Sequence, residues 1–193
     1  MVETQESTIK GLVVRNLINE VKKQKGPEGL EELKGILGEE PKISPFHDYP
    51  IKDHVKLNEA ICEVLFGGNN PENQYKLGQL LFSSHANEGL GKAMINQMKV
   101  LGYTAGIDTL KVLIKGSELL TKGPKYTIKN LGDNKIKMLV ENSSYPTEYI
   151  KGFMDEGIKL GTDMQKEKGQ SVKVKTQWTK LGADTHQVIF EWE

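Results

Sequence analysis

The chain has 193 residues, and its 26 Lys and Arg residues balance its 26 Asp and Glu residues, so the formal net charge at pH 7 is zero. A chain of this length suits one domain, and a hydrophobic share of 37% is enough to form a core. A chain without excess positive charge has no field that attracts polyanions, so we expect no nucleic-acid partner.

Cysteine content and hydropathy exclude two further classes of protein. Cys62 is the one cysteine, which rules out an internal disulfide and a metal site that needs several thiolates from one chain. No run of about 18 apolar residues occurs, so the sequence predicts no membrane span. The polar first residues lack the pattern of a signal peptide, and we therefore expect the protein in the cytoplasm.

The first two-thirds of the sequence has the apolar period of amphipathic helices. This period predicts a helix over 7–25, capped by Ser7 and ended by Gly26-Pro27, and then a shorter helix up to Gly38. Residues 41–50 contain three prolines and predict a loop whose two aromatic residues pack against the core. Four further helices are predicted: about 51–66, one that opens at Pro71 and stops before Gly89, about 90–101, and about 104–120.

The period changes after residue 122, where apolar and polar residues alternate. Alternation on both sides of Gly132-Asp133-Asn134 predicts a β-hairpin, and a second hairpin with a turn near Gly182 ends the chain. A helix over 146–168 separates the two hairpins. We therefore predict an α+β fold in a single domain, residues 1–193. An N-terminal helical part (1–122) packs on a C-terminal β-β-α-β-β part (123–193) with one four-stranded antiparallel sheet.

Two segments and the order of the elements resemble a known superfamily. Residues 9–17, with Lys10-Gly11, resemble the first helix of the heme-NO-binding (H-NOX) superfamily, and residues 145–153, with Tyr145-Pro146, resemble the sheet-crossing helix of its heme-less relatives. The chain is similar more distantly to 4-vinyl-reductase-type ligand-binding domains and to vesicle-tethering transport-particle subunits. The resemblance covers nearly the whole chain and implies an H-NOX-like fold with a ligand-binding or sensor function.

The sequence departs from the heme-binding members in two places. Those members use a His in the second half of the helical region as the iron ligand, and residues 89–122 contain no His. They also hold the heme propionates with a Tyr-x-Ser-x-Arg motif, whereas residues 140–145 contain no Arg, the residue that clamps a carboxylate with two hydrogen bonds. We therefore expect no cofactor. Heme or another tetrapyrrole is the alternative, with His85 or Tyr103 as an axial ligand outside the family pattern.

Eight side chains are candidates to line a pocket between the helices and the sheet. They combine aromatic rings and one imidazole with methionines, which are unbranched and adapt to irregular ligands. A filled core is the alternative interpretation of the same residues. The candidates are Phe82, His85, Met94, Met98, Tyr103, Tyr126, Met138 and Phe153.

The sequence contains no arrangement typical of a catalytic or metal site. His54, Asn58 and Cys62 share one helical face, but the outer two lie two turns apart, about 12 Å along the helix axis. One ion does not bridge that distance, so we expect a structural stripe that runs from the surface to the core. Cys62 lies in an apolar stretch and is predicted to be buried and unreactive.

Two main hypotheses follow. The first is a non-enzymatic sensor or ligand-binding domain that holds an apolar small molecule and signals to a partner protein. The second is a protein-interaction module that resembles the transport-particle subunits, which predicts a homodimer with a packed interior. The heme sensor described above is a third hypothesis, and an absorption spectrum distinguishes it from the other two.

Overall fold

The computed structural model describes residues 6–87, 89–100, 107–169 and 171–193. It has the predicted α+β architecture, with a helical part followed by two hairpins that flank a helix. No helix in these ranges is long and apolar enough to cross a membrane. The helices are α1 (Gly11–Leu37), α2 (Ile51–Phe66), α3 (Pro71–Asn87), α4 (Gly89–Val100), α5 (Ile107–Leu120) and α6 (Thr147–Lys166).

A small sheet holds the start of the chain, and it corrects the prediction that Ser7 caps a helix. Strand β1 (Thr8–Lys10) pairs antiparallel with β2 (Asp48–Pro50) on one side and with β3 (Thr121–Lys122) on the other. Because both edges of β1 are hydrogen-bonded, residues 8–10 are extended, and α1 begins only at Gly11. The sequence carries no alternation over three residues that could have signalled this strand.

The Gly26-Pro27 pair interrupts α1, as the sequence predicts. Gly26 has φ of 67° and ψ of −160°, so the backbone leaves the helical region there before Pro27 starts the second half. A positive φ of this kind costs a side chain with a Cβ about 1 kcal/mol or more, which explains the glycine. The helix then continues to Gly38, whose φ of 80° ends it in the left-handed conformation.

The loop before α2 departs from expectation at one of its two aromatic residues. Phe46 is 88% exposed and does not pack against the core. Tyr49 does pack against it, and its hydroxyl also accepts a hydrogen bond of 2.9 Å from the backbone N–H of Ser44. The loop therefore folds over Tyr49 and leaves Phe46 on the surface.

The C-terminal part forms the predicted four-stranded antiparallel sheet. The strands lie in the order β4-β5-β7-β6, so the second strand of each hairpin is central. The two central strands put their apolar residues on one buried face, with Ile136 opposite Phe190 and Met138 opposite Val188. The strands are β4 (Lys125–Gly132), β5 (Lys135–Glu141), β6 (Val174–Gly182) and β7 (Thr185–Trp192).

Two apolar clusters form the core, and Phe153 on α6 belongs to the edge of both. The first cluster joins α1, α2 and α3, with Leu17, Ile61 and Leu77 fully buried. The second joins the buried face of the sheet to α6, through residues such as Met154. Helix α6 therefore connects the helical part to the sheet.

Helices α3 and α6 cross with their backbones in close contact at two glycines. A Cβ added at Gly78 would collide with the carbonyl oxygen of Tyr149 and lie 2.8 Å from the backbone nitrogen of Phe153. A Cβ added at Gly152 would collide with the carbonyl oxygen of Tyr75. Both positions therefore need glycine, because backbone atoms do not yield as the end of a flexible side chain does.

Gly78→Ala tests this crossing. We expect the free energy of unfolding to fall by about 1–3 kcal/mol, the usual range for overpacking a core, because the added methyl group separates α3 from α6. Gly35→Ala is the matched control, since Gly35 is exposed within α1 and has no atom within 4 Å of an added Cβ. The free energy of unfolding of Gly35→Ala should rise by about 0.5–1 kcal/mol, because alanine favours the helix over glycine. Urea unfolding followed by circular dichroism measures both; equal stabilities for the two variants would contradict the proposed close crossing.

Candidate functional site

Two adjoining cavities lie in the interior, one among the helices and one between the helices and the sheet. The larger has a volume of about 180 Å³ and lies among α1, α3, α4, α5 and α6. The smaller has a volume of about 90 Å³ and lies against the buried face of β4 and β5. Four residues line both cavities and form the wall between them: His85, Ser117, Leu120 and Phe153.

Seven of the eight residues predicted to line a pocket border these cavities, and Tyr103 lies outside the described residues. Helices α3 and α4 supply four of them to the larger cavity: Phe82, His85, Met94 and Met98. Strands β4 and β5 supply Tyr126 and Met138 to the smaller one. Phe153 contributes to both, and its ring meets that of Phe82 edge-on at 5.2 Å between centroids. The walls are thus mostly apolar, and they suit a ligand without charge in this region.

His85 is the most polar side chain of the dividing wall. Its Nδ1–H donates a hydrogen bond of 3.1 Å to the backbone carbonyl of Leu81, one turn earlier in α3. This bond fixes the ring plane and keeps the proton on Nδ1. His85 is therefore held by its own helix while it faces both cavities.

Gly116 on α5 keeps part of the larger cavity open. It is buried, and a Cβ at this position would lie 3.0 Å from the terminal methyl carbon of Met94. Because that methionine end is flexible, a larger residue at 116 could be accommodated by filling the cavity rather than by moving the backbone. Residue 116 is thus a place where the cavity can be closed by substitution.

A buried polar layer lies beside the smaller cavity, and sequence reasoning missed it. His54 on α2 and the Tyr145 hydroxyl share a hydrogen bond of 2.8 Å across 91 residues of sequence. The Tyr145 ring stacks on that of Tyr149 with 5.1 Å between centroids, and His54 meets both rings edge-on. The stripe of His54, Asn58 and Cys62 was visible in the sequence, but it is buried throughout rather than running out to the surface.

The polar layer carries dipoles and no charge at neutral pH. Burial, with a smaller contribution from His85, lowers the pKa of His54 to about 3. Burial likewise raises the pKa of both Tyr145 and Tyr149 above the usual value for tyrosine. Burial also raises the pKa of the Cys62 thiol to about 12, so it is protonated and not nucleophilic.

The described residues contain no cluster of three or more His, Cys, Asp or Glu that could hold a metal ion. Asp155 on α6, which is partly buried, accepts a hydrogen bond of 3.1 Å from the Tyr75 hydroxyl on α3. What the site offers chemically is apolar volume with a few hydrogen-bonding groups at its edges. Such a site suits binding.

Comparison with known proteins places the chain in a family. A model of the family described as "Protein of unknown function (DUF2378)" matches residues 3–188. The chain belongs to this family. No sequence among the curated proteins is significantly similar to the chain.

Solved structures of H-NOX proteins share the fold of this family member over nearly its whole length. An H-NOX protein mutant from K. algicida in the Fe(II) unliganded form has a TM-score of 0.60 at 11% identity, covering 96% of this chain and 97% of that one. An oxygen-binding H-NOX domain related to soluble guanylate cyclases has a TM-score of 0.63 at 15% identity, covering 96% and 95%. A Cs H-NOX mutant has a TM-score of 0.65 at 14% identity, covering 96% and 97%. The predicted H-NOX-like fold is therefore confirmed.

The neutral state of buried His54 predicts a pH dependence of stability. Its pKa is about 3 in the folded protein and close to 6.5 in the unfolded chain, so between these values the unfolded state binds one more proton. The free energy of unfolding should therefore fall as the pH drops from about 6.5 towards 3, by up to about 1.4 kcal/mol per pH unit from this group.

His54→Gln isolates this contribution, because Gln can still bond the Tyr145 hydroxyl but does not titrate. We expect the variant to take up about one proton fewer than the wild type on unfolding at pH 5. The difference in slope between urea-unfolding series at pH 4–6 measures this number, and other acid-sensitive groups cancel in the comparison. Identical slopes for the two proteins would mean that His54 is not held neutral.

Proposed function

We propose that the protein is a non-enzymatic binding domain that holds an apolar small molecule in the two cavities and, as a sensor, transmits occupancy to a partner protein. The observation that carries the proposal is the pair of mostly apolar cavities, one of about 180 Å³ among the helices and one of about 90 Å³ against the sheet. Packed cores leave few voids larger than a water molecule. An engineered apolar cavity of about 150 Å³ is large enough to bind benzene.

The position of the cavities supports a sensor function. Their walls come from five of the helices and from four strands, so a ligand contacts elements that are far apart in sequence. A ligand that fills such a space favours whichever arrangement of these elements fits it best, and this preference shifts the population of conformations. The partner protein recognises the surface of the helices that change position.

The site contains an imidazole, a common ligand of heme iron, but its two cavities are too small for heme. His85 shares one feature with metal-bound imidazoles, since its Nδ1–H donates to a backbone carbonyl. The two cavities, however, fall below the range of about 300–1,000 Å³ of ordinary ligand sites, and a tetrapyrrole is far larger than one benzene ring. No described Lys or Arg lines either cavity to meet the heme carboxylates. We therefore derive no function through heme.

Benzene tests the proposed pocket with a probe of the right size. An excess that adds about 1 kcal/mol to the free energy of unfolding should raise the wild-type Tm by about 2–4 °C. Gly116→Leu, which fills the larger cavity, should lose most of this shift. Gly35→Leu places the same side chain at an exposed helix position and should keep it. The proposal is wrong if benzene leaves the wild-type Tm unchanged or shifts all three proteins equally.

Hemin provides a second test. We expect titration of the wild type with hemin to give no saturable Soret band at one equivalent, because the cavities are too small for the porphyrin. The same weak absorbance change should appear in His85→Ala. A saturable one-to-one band that His85→Ala abolishes would establish a heme site and contradict the argument from cavity size.

A further inference from the structure

An open groove lies on the surface next to the larger cavity. It has a volume of about 530 Å³ and runs along the first turns of α1 beneath Pro45 and Phe46 of the following loop. Phe46, which is 88% exposed, forms one side of it. The exposed apolar ring and the groove together provide a surface that an apolar chain can cross on its way inward.

Three side chains belong both to this groove and to the larger cavity: Leu12, Asn16 and Leu120. The groove and the cavity therefore adjoin each other at these three residues. Leu12 is 38% exposed, so it is not locked in a packed core. A ligand can thus occupy both spaces at once after a change of side-chain rotamer.

Asn16 is a polar group placed at this boundary without a partner. The residue is only 8% exposed, no described residue is hydrogen-bonded to its amide, and the amide atoms are not fully enclosed by protein. An amide in such a position is normally hydrogen-bonded to water or to a ligand. A ligand oxygen at the mouth of the cavity would accept a hydrogen bond from this amide.

The charge of the groove is positive, although the chain as a whole is neutral. Arg15 lines it, is exposed, and forms no ion pair within the described residues. Lys10 also lines it, and together with Lys122 it shares one carboxylate, that of Asp48, at 2.5 and 2.7 Å. No described Asp or Glu lines the groove.

A second surface groove on the chain shows that this charge is not a general property of its surface. That groove, beside the end of α1, is lined by Glu39, Glu40 and Asp53 as well as by Lys42 and Lys56. It therefore has no excess of positive charge. The combination of an unpaired guanidinium, an unpartnered amide and a joining apolar cavity occurs only at the groove by Phe46 among the described surface grooves.

We infer that the ligand is an amphipathic carboxylate of medium chain length. Its apolar tail occupies the larger cavity beyond Leu12, and its carboxylate lies in the groove, bound by the Arg15 guanidinium and the Asn16 amide. This inference rests on the proposed function and adds the chemical class of the ligand. Arg is suited to the task because its planar fork binds both oxygens of a carboxylate.

The size of the cavity sets the length of the chain. A volume of about 180 Å³ slightly exceeds the cavity that accepts benzene, so it takes a segment of roughly six carbons. Octanoate, with two further carbons to pass Leu12, is therefore a suitable probe. 1-Octanol has the same chain with an uncharged head and serves as its matched partner.

Isothermal titration calorimetry at pH 7.5 with octanoate and with 1-octanol tests the inference. We expect octanoate to bind the wild type about three- to tenfold more tightly than 1-octanol, and this preference to weaken as salt is added. Arg15→Gln should abolish the preference and leave 1-octanol binding unchanged. Lys34→Gln removes one positive charge from the far end of the same helix and should keep the preference.

The outcomes separate this inference from the function on which it rests. If 1-octanol binds the wild type as tightly as octanoate, or if Arg15→Gln keeps the preference, the carboxylate site is wrong and the apolar pocket stands. The same conclusion follows if neither octyl compound binds while benzene does. If benzene, octanoate and 1-octanol all fail to bind, the proposed function fails as well.

Discussion

The close crossing of α3 and α6 is the constraint on which the rest of the structure depends. At Gly78 and Gly152 each helix places its backbone where the partner would need room for a Cβ. This contact holds α6, which covers the sheet, directly against α3, which packs on α1 and α2. One turn after Gly78, the ring of Phe82 contacts the ring of Phe153 edge-on. The helices are thus in close contact at the glycines, and the rings of Phe82 and Phe153 line the larger cavity.

The polar groups around the cavities are arranged so that charge stays outside. His54, Tyr145 and Tyr149 lie beside the smaller cavity, and burial keeps all three neutral at pH 7. They provide hydrogen-bonding dipoles without the desolvation cost of an ion. The free guanidinium of Arg15 lies instead at the outer groove, where water still screens it. This arrangement favours entry of the proposed amphipathic ligand with its tail towards the larger cavity.

The sequence was informative where structure depends on local pattern. The helical period, the Gly26-Pro27 break and the two alternating hairpins predict the elements and the four-stranded sheet, because each depends on residues close together in the chain. The helical period explains why Phe82 and Met98 border the interior, and the alternation of the strand explains why Met138 does. Features that depend on distant pairing could not be predicted: β1 is too short to show alternation, and the partner of His54 lies 91 residues away at Tyr145. Likewise, Gly78 and Gly152 have no local signature that identifies them as a helix crossing.

Cavity boundaries are harder to predict than cavity walls, and the reason is geometric. A residue in a cavity wall is apolar, so the hydrophobic pattern of the sequence predicts it. A residue at a cavity boundary is polar or half-exposed, and its sequence context is the same as that of any surface residue. Arg15, Asn16 and Leu12 all lie on one short stretch of α1, which the sequence presents as an ordinary amphipathic turn. Only the placement of Leu120 and the Pro45–Phe46 loop against that turn makes it the mouth of a cavity. For the proposed ligand, selectivity therefore depends on α1 and its loop, and the volume available to the tail depends on α3, α4, α5 and α6. Substitutions in the two groups should for that reason change different properties of binding.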